Sequence, residues 1–170
     1  LVINEKVFGK QHPVYARNLN YLAANYSNLG DKNKALNYNL LALNIYEKVV
    51  GKEHPNYALN LSFLAESYSL LGDYNKALEY NLLALVIREK AFGKQHPEYA
   101  ESLNNIAAIY LVLGDYNKAL DYNLLALNVR EKVFGKAHPV YAESLNNLAA
   151  NYSVLGEYNK SLEYNLLAFK

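Results

Sequence analysis

From Pro97 onward the apolar residues Tyr99, Ala100, Leu103, Ile106, Ala107 and Tyr110 recur at intervals of three and four, which marks one face of a helix. The pattern predicts that helix over about 98–112. Gly114 ends it, a residue suited to the left-handed backbone position that follows a helix. Asp115 then stands where the N-cap of a second helix belongs, predicted over about 116–134. Ala119, Leu120, Tyr122, Leu124, Leu125, Ala126, Leu127 and Val129 cover more than half of its circumference. Apolar breadth of that kind predicts a helix buried on two sides. No segment alternates apolar and polar residues with the period of two that a half-buried strand shows, so no strands are expected.

The helix pair is one copy of a repeated unit. Residues 72–108 read GDYNKALEYNLLALVIREKAFGKQHPEYAESLNNIAA, and 114–150 read GDYNKALDYNLLALNVREKVFGKAHPVYAESLNNLAA, an offset of 42. A looser copy begins at Gly30. Such a period is the signature of a solenoid, whose units bury their apolar faces against neighbouring units. The recurring GKQHP, GKEHP, GKQHP and GKAHP at 9, 51, 93 and 135 punctuate it. Gly9, Gly51, Gly93 and Gly135 are placed to end each second helix, and Pro13, Pro55, Pro97 and Pro139 to open the next first helix, where no donor is lost. His12, His54, His96 and His138 fall at the N-cap place, capping through the ring or filling the bend. They occur singly, one per unit, so no metal site is expected; cofactors are likewise not expected.

Composition narrows the function. With 52% apolar and 19% charged residues the chain has the means to build a core. A formal net charge of +1 with interspersed signs argues against nucleic acid, whose binding rests on clustered Lys and Arg. Cysteine is absent, which removes disulfides and thiolate zinc sites. The longest apolar run, YNLLALVI at 80–87, is too short and too interrupted to span a membrane. No signal peptide opens the sequence, and no nucleophile or titratable pair converges, so catalysis is not expected. The REK runs of the second helices read as a solvated face with local ion pairs.

These residues resemble a tetratricopeptide repeat. Leu22, Ala23, Tyr26, Gly30, Ala35 and Ala42 match the family pattern, as do Ile106, Ala107, Tyr110, Gly114, Ala119 and Ala126 in the third unit. The ordinary repeat has about 34 residues; the extra length here amounts to about two helical turns, or ~12 Å, of second helix. The stretch IREKAFGKQHPEYAESLNNIA at 87–107 is similar to the repeats of kinesin light chains. The resemblance implies an all-α, right-handed superhelical solenoid of stacked antiparallel helix pairs. It divides a single array, 1–170, into the latter half of a second helix (1–11), repeats at 13–50, 55–92 and 97–134, and a repeat at 139–170 with a shortened second helix. Two positions depart from the family. Leu19, Leu61, Leu103 and Leu145 replace a bulkier residue. Asn39, Asn81, Asn123 and Asn165 stand where an aromatic is usual: either their amides are hydrogen-bonded, to backbone or to one another, or the register is rotated and Tyr38, Tyr80, Tyr122 and Tyr164 fill the aromatic place.

The resemblance further implies a concave groove lined by first helices. Carried over by position, its walls are Arg17, Asn20 and Tyr21, with Ala24, Ser27 and Asn28, in the first repeat. The second contributes Ser62, Phe63, Glu66 and Leu70, beside Leu59. Ser69 belongs with the second; the third contributes Glu101, Asn104, Asn105 and Val112 with Ala108 and Leu111, and the fourth Glu143, Asn146 and Asn147 with Ala150, Ser153 and Val154. Asn offers both donor and acceptor, suited to gripping the backbone of an extended peptide. The apolar walls would read sequence, or be ordinary packing between first helices. First helices hold no Lys, so the carboxylate-clamp mode is disfavoured, and the glutamates favour a neutral to modestly basic peptide. The expected function is a non-enzymatic protein-interaction scaffold holding a peptide or partner helix. The alternative is a structural spacer. LVINEKVF at 1–8 aligns with LNIYEKVV at 43–50, and the chain closes within the same kind of helix, so an excerpt of a longer array, able to associate head to tail, is also expected.

Overall fold

The computed structural model describes residues 9–169. Among them are eight helices and no strand: α1 (Pro13–Asn28), α2 (Lys32–Val49), α3 (Pro55–Leu70), α4 (Tyr74–Phe92), α5 (Pro97–Leu113), α6 (Tyr116–Phe134), α7 (Pro139–Val154) and α8 (Tyr158–Ala168). Of the half-helix expected over 1–11, residues 1–8 lie outside the described residues, and 9–11 are not helical but lead through a bend into α1. Two compact units divide the chain, Leu1–Ala91 and Phe92–Lys170. In the first, α1 packs on α2 and α2 on α3, around Leu19, Ala42, Tyr46, Ala58, Leu61 and Ile87. In the second, α5, α6, α7 and α8 pack in succession, burying Leu103, Ile106, Val129, Leu145 and Leu148. Small residues are the most completely covered: Ala42, Ala84 and Ala126, each about one turn on from a buried Asn, have no solvent exposure.

Each first helix begins the same way. Its proline occupies the first turn, and the preceding histidine caps it, Nδ1 accepting from the backbone N–H two residues on. The distances are 3.2, 3.0, 3.2 and 3.2 Å for His12, His54, His96 and His138. Of the two roles open to these histidines, ring capping is therefore the one observed. It places the ring proton on Nε2. His96 and His138 also stack on Phe92 and Phe134, with centroids 4.3 and 4.6 Å apart.

The turn within each pair is a second recurring device. The N–H groups of Asp31, Asp73, Asp115 and Glu157 each reach back 2.9 Å to the carbonyl of Tyr26, Tyr68, Tyr110 or Tyr152, the long bond of a helix-terminating glycine motif. Gly114, at φ 82°, supplies the left-handed residue that this requires. The three aspartates then cap the second helices through Lys34, Lys76 and Lys118 N–H at 3.1–3.2 Å, and pair with the same lysines' ammonium groups. Each ammonium also lies 4.9–5.1 Å from the ring centre of the tyrosine just before the turn. That ring stacks in turn on a tyrosine of the second helix: Tyr26 on Tyr38, Tyr68 on Tyr80, Tyr110 on Tyr122 and Tyr152 on Tyr164, at 5.3–5.6 Å.

Two expectations about second helices are corrected. Their apolar breadth is not wholly burial, since Leu41, Leu83 and Leu125 are 54%, 44% and 55% exposed. Nor are their arginines a solvated face: Arg88 is fully buried and Arg130 is 8% exposed, while Glu47–Lys52 and Glu131–Lys136 form the ion pairs at the surface.

Glu157 keeps the ion pair to Lys160 but makes no side-chain cap bond. Glu157→Asp should restore it and raise the unfolding temperature by about 2–4 °C, read by circular dichroism. The lysine bonds hold Asp31, Asp73 and Asp115 below the ordinary carboxylate range, the side-chain bond first and the backbone N–H second. A carboxyl lowered on folding stabilises above its unfolded value, about 3.9, and that contribution disappears as pH falls through the folded value. Asp115→Asn retains a cap acceptor without the charge, so its urea midpoint should fall less between pH 6 and pH 3 than that of the parent chain. An equal fall would separate the turn from acid stability.

Candidate functional site: grooves between first helices

The groove is positioned by the amides that tie second helices to the next first helix. Asn39 on α2 donates through Nδ2 to the Phe63 carbonyl oxygen at 3.2 Å and to Ser67 Oγ at 2.9 Å, both on α3. In the second unit Asn123 on α6 donates to Asn151 Oδ1 on α7 at 2.8 Å, and Asn151 donates back to the Tyr116 carbonyl at 2.9 Å. Asn39, Asn81 and Asn123 are 5%, 4% and 2% exposed. Of the two alternatives for these positions, hydrogen-bonded amides are what Asn39 and Asn123 show, while the preceding Tyr38 and Tyr122 stack on tyrosines of the first helices. The partners lie on the following first helix, not on one another. Asn165 departs from the set: it is exposed, with no described helix packed over it.

A second network lies beneath the groove. In the first unit Asn60 Nδ2 donates to Asn20 Oδ1 at 2.7 Å, joining α3 to α1. In the second unit a guanidinium takes over. Arg130 Nη1 donates to the Val140 carbonyl at 3.2 Å and to Ser144 Oγ at 2.9 Å. With its amide oxygen turned toward the arginine, Asn104 accepts from Nη1 and Nη2 at 2.9 and 2.7 Å. Glu143 completes the cluster at 3.6 Å. A buried guanidinium is tolerated because its donors meet acceptors in a low-dielectric site.

The predicted wall residues therefore separate into two groups. Asn20 is 8% exposed with its acceptor engaged, and Asn104 is tied to Arg130, so both serve to hold helices together. Arg17, Tyr21, Glu66 and Leu70 are exposed, while Ser62 and Phe63 are half-buried. In the second unit Glu101, Val112, Glu143 and Asn146 are exposed, and Asn105 and Asn147 half-buried. The first unit brings six of the carried-over positions to one place: a cleft of ≈ 420 Å³ between α1 and α3 has Arg17, Asn20, Tyr21, Ala24, Leu59 and Phe63 among its walls. Tyr46, which sequence reasoning did not assign to the groove, is also among its walls, and burial raises its phenol pKa. Asn60, Ser144 and Arg130 were also missed. Their signal was a pairing within the repeats: Ser102 and Ser144 follow Arg88 and Arg130, whereas Asn60 follows Tyr46.

A tetratricopeptide repeat family model matches residues 34–85, 57–131 and 98–169, and the chain belongs to that family. Its repeats are of the kinesin light chain-like kind, forming an all-α repeat solenoid. BtubC (BKLC) from P. vanneervenii is similar, with a TM-score of 0.86 at 25% identity over 98% of this chain and 67% of that one. A kinesin light chain-like protein of Podosopora anserina with nearly identical TPR-like repeats gives 0.81 at 24% identity, over 90% and 72% of the two chains, and shows the fold. The apo form of RapI gives 0.74 at 25% identity, over 88% and 52%. A comparison with curated protein sequences returned no match. Repeat proteins of this family mediate protein–protein interactions and are typically non-enzymatic scaffolds. No helix among the described residues is long and apolar enough to cross a membrane.

The two fates of one repeat position provide a test. Asn123→Ala leaves the Asn151 acceptor buried and should cost about 1–3 kcal/mol in urea denaturation. Asn165→Ala, at an exposed place, should stay within about 0.5 kcal/mol of the parent.

Proposed function

We propose that the grooves between first helices hold an extended segment of a partner protein, and that one bulky apolar side chain of that segment enters the cleft between α1 and α3. The observation that carries this reading is the cleft's construction. Tyr21, 61% exposed, and Leu59, 40% exposed, face it together with half-buried Phe63 and buried Tyr46. Rigid aromatic walls around a cavity of ≈ 420 Å³ favour an anchor side chain, since a few such residues carry most of an interface's energy. Arg17 is the one charged side chain among these walls, with Glu66 farther along, so the segment as a whole is close to neutral. In the second unit exposed Asn146 and half-buried Asn105 and Asn147 offer amides to a peptide backbone. Asn20 and Asn104 contribute to preorganisation instead. Arrays of short extended peptides, with and without a single Trp, Phe or Leu, test the reading. Binding should require the apolar residue, and Tyr21→Ala or Leu59→Ala should weaken it about tenfold. Indifference to both substitutions would overturn it.

A second reading is association of this chain with its own copies, head to tail. It is favoured by α8, where Asn165, Leu162 and Leu166 are exposed although the equivalent Asn123 on α6 is covered by α7. Light scattering over a concentration series decides it: a monomer throughout removes the reading.

A further inference from the structure

The cleft of the first unit has a smaller, polar neighbour. Asn20, Ala24 and Phe63 wall both, and beyond them a pocket of ≈ 100 Å³ is lined by Ser27, Asn28, Asn39, Glu66 and Ser67. Asn39 is its informative wall. The Phe63 carbonyl oxygen, at 3.2 Å, can only accept, so it fixes which end of the Asn39 amide is nitrogen. Ser67 Oγ takes that nitrogen's second bond. The amide oxygen is then left on the other side, buried and without a donor among the described residues, on a residue only 5% exposed. A buried acceptor in that state favours any donor that can reach it. The remaining polar walls are compatible with a donor, since Ser27 and Asn28 each carry an acceptor beside a donor, and Glu66 sets an exposed carboxylate among the lining residues.

We infer that this pocket takes the ammonium group of a lysine side chain from the segment that fills the cleft, an inference that rests on the peptide reading above. An ammonium carries three donors and no acceptor, matching an amide oxygen, a hydroxyl or amide carbonyl, and a carboxylate. The carboxylate offsets the desolvation that a buried cation meets. The pocket admits a compact head with its last methylenes, as each liquid water occupies about 30 Å³. Tyr21 and Asn28 are seven residues apart on α1, about 10 Å along its axis. An extended chain advances about 3.3 Å per residue, so the lysine stands about three residues from the apolar anchor.

Small probes test the pocket without a peptide. The isotope-labelled chain is titrated with n-butylammonium chloride and, in parallel, with n-butanol, which has the same carbon chain and no charge, at matched ionic strength. The nuclear magnetic resonance signals of the Asn39 side-chain amide and the Ser67 backbone amide are followed. The ammonium should shift both saturably and the alcohol should not, and Glu66→Gln should weaken the fitted affinity about threefold. No response to the ammonium, or an equal response to the alcohol, overturns the inference. The two readings fail separately. A chain that binds apolar peptides yet ignores the ammonium loses only the lysine subsite, and one that takes the ammonium but no peptide loses only the peptide reading.

Discussion

A second helix in this chain cannot cover its own apolar face, and a buried amide decides where its neighbour must stand. Asn39 and Asn123 are almost without solvent contact, so their N–H groups have no alternative partner if the next first helix slides or turns. Hydrophobic contacts between leucines and alanines tolerate small shifts. A hydrogen bond to a single carbonyl or amide oxygen in a low-dielectric interior does not. The amide thereby converts a loose apolar stack into a defined register, at the cost of one committed polar group per interface. The grooves inherit that definition, because their walls ride on the helices the amides position.

Beneath the grooves the two units solve the same problem with different chemistry. An Asn–Asn bond joins α1 to α3, whereas α5 and α7 meet through Arg130, which reaches from α6 to gather Asn104, Ser144 and the Val140 carbonyl. A guanidinium spans more acceptors than an amide and holds them in one plane. The serine at 144 is short enough to leave room for it.

How much of this was legible in the sequence depended on distance along the chain. Helix ends are written in adjacent residues: proline in the first turn, glycine at the left-handed position, aspartate after it. Those readings hold from α1 to α7, while Glu157 stands in the aspartate's place before α8 without its cap bond. The tyrosine pairs and the buried asparagines were visible as repeated departures from the family pattern, but not their partners, which lie on another helix. Arg130 was misread because charge near the end of a helix defaults to solvent, and only the helix packed across from it makes the site interior. The structural tie of Asn20 was hidden for the same reason: position on a first helix does not reveal that Asn60 donates to its amide oxygen.

The stacked tyrosines have an optical consequence. The chain contains 17 Tyr, 5 Phe and no Trp, so phenol rings dominate its near-ultraviolet absorption and emission. Four pairs of those rings sit face to face at 5.3–5.6 Å, one bridging the two helices of each hairpin. Coupled transitions between such neighbours vanish once a hairpin opens, which makes every turn carry its own built-in chromophore. The summed signal falls as hairpins open, so the chain reports its own fraying with no label attached.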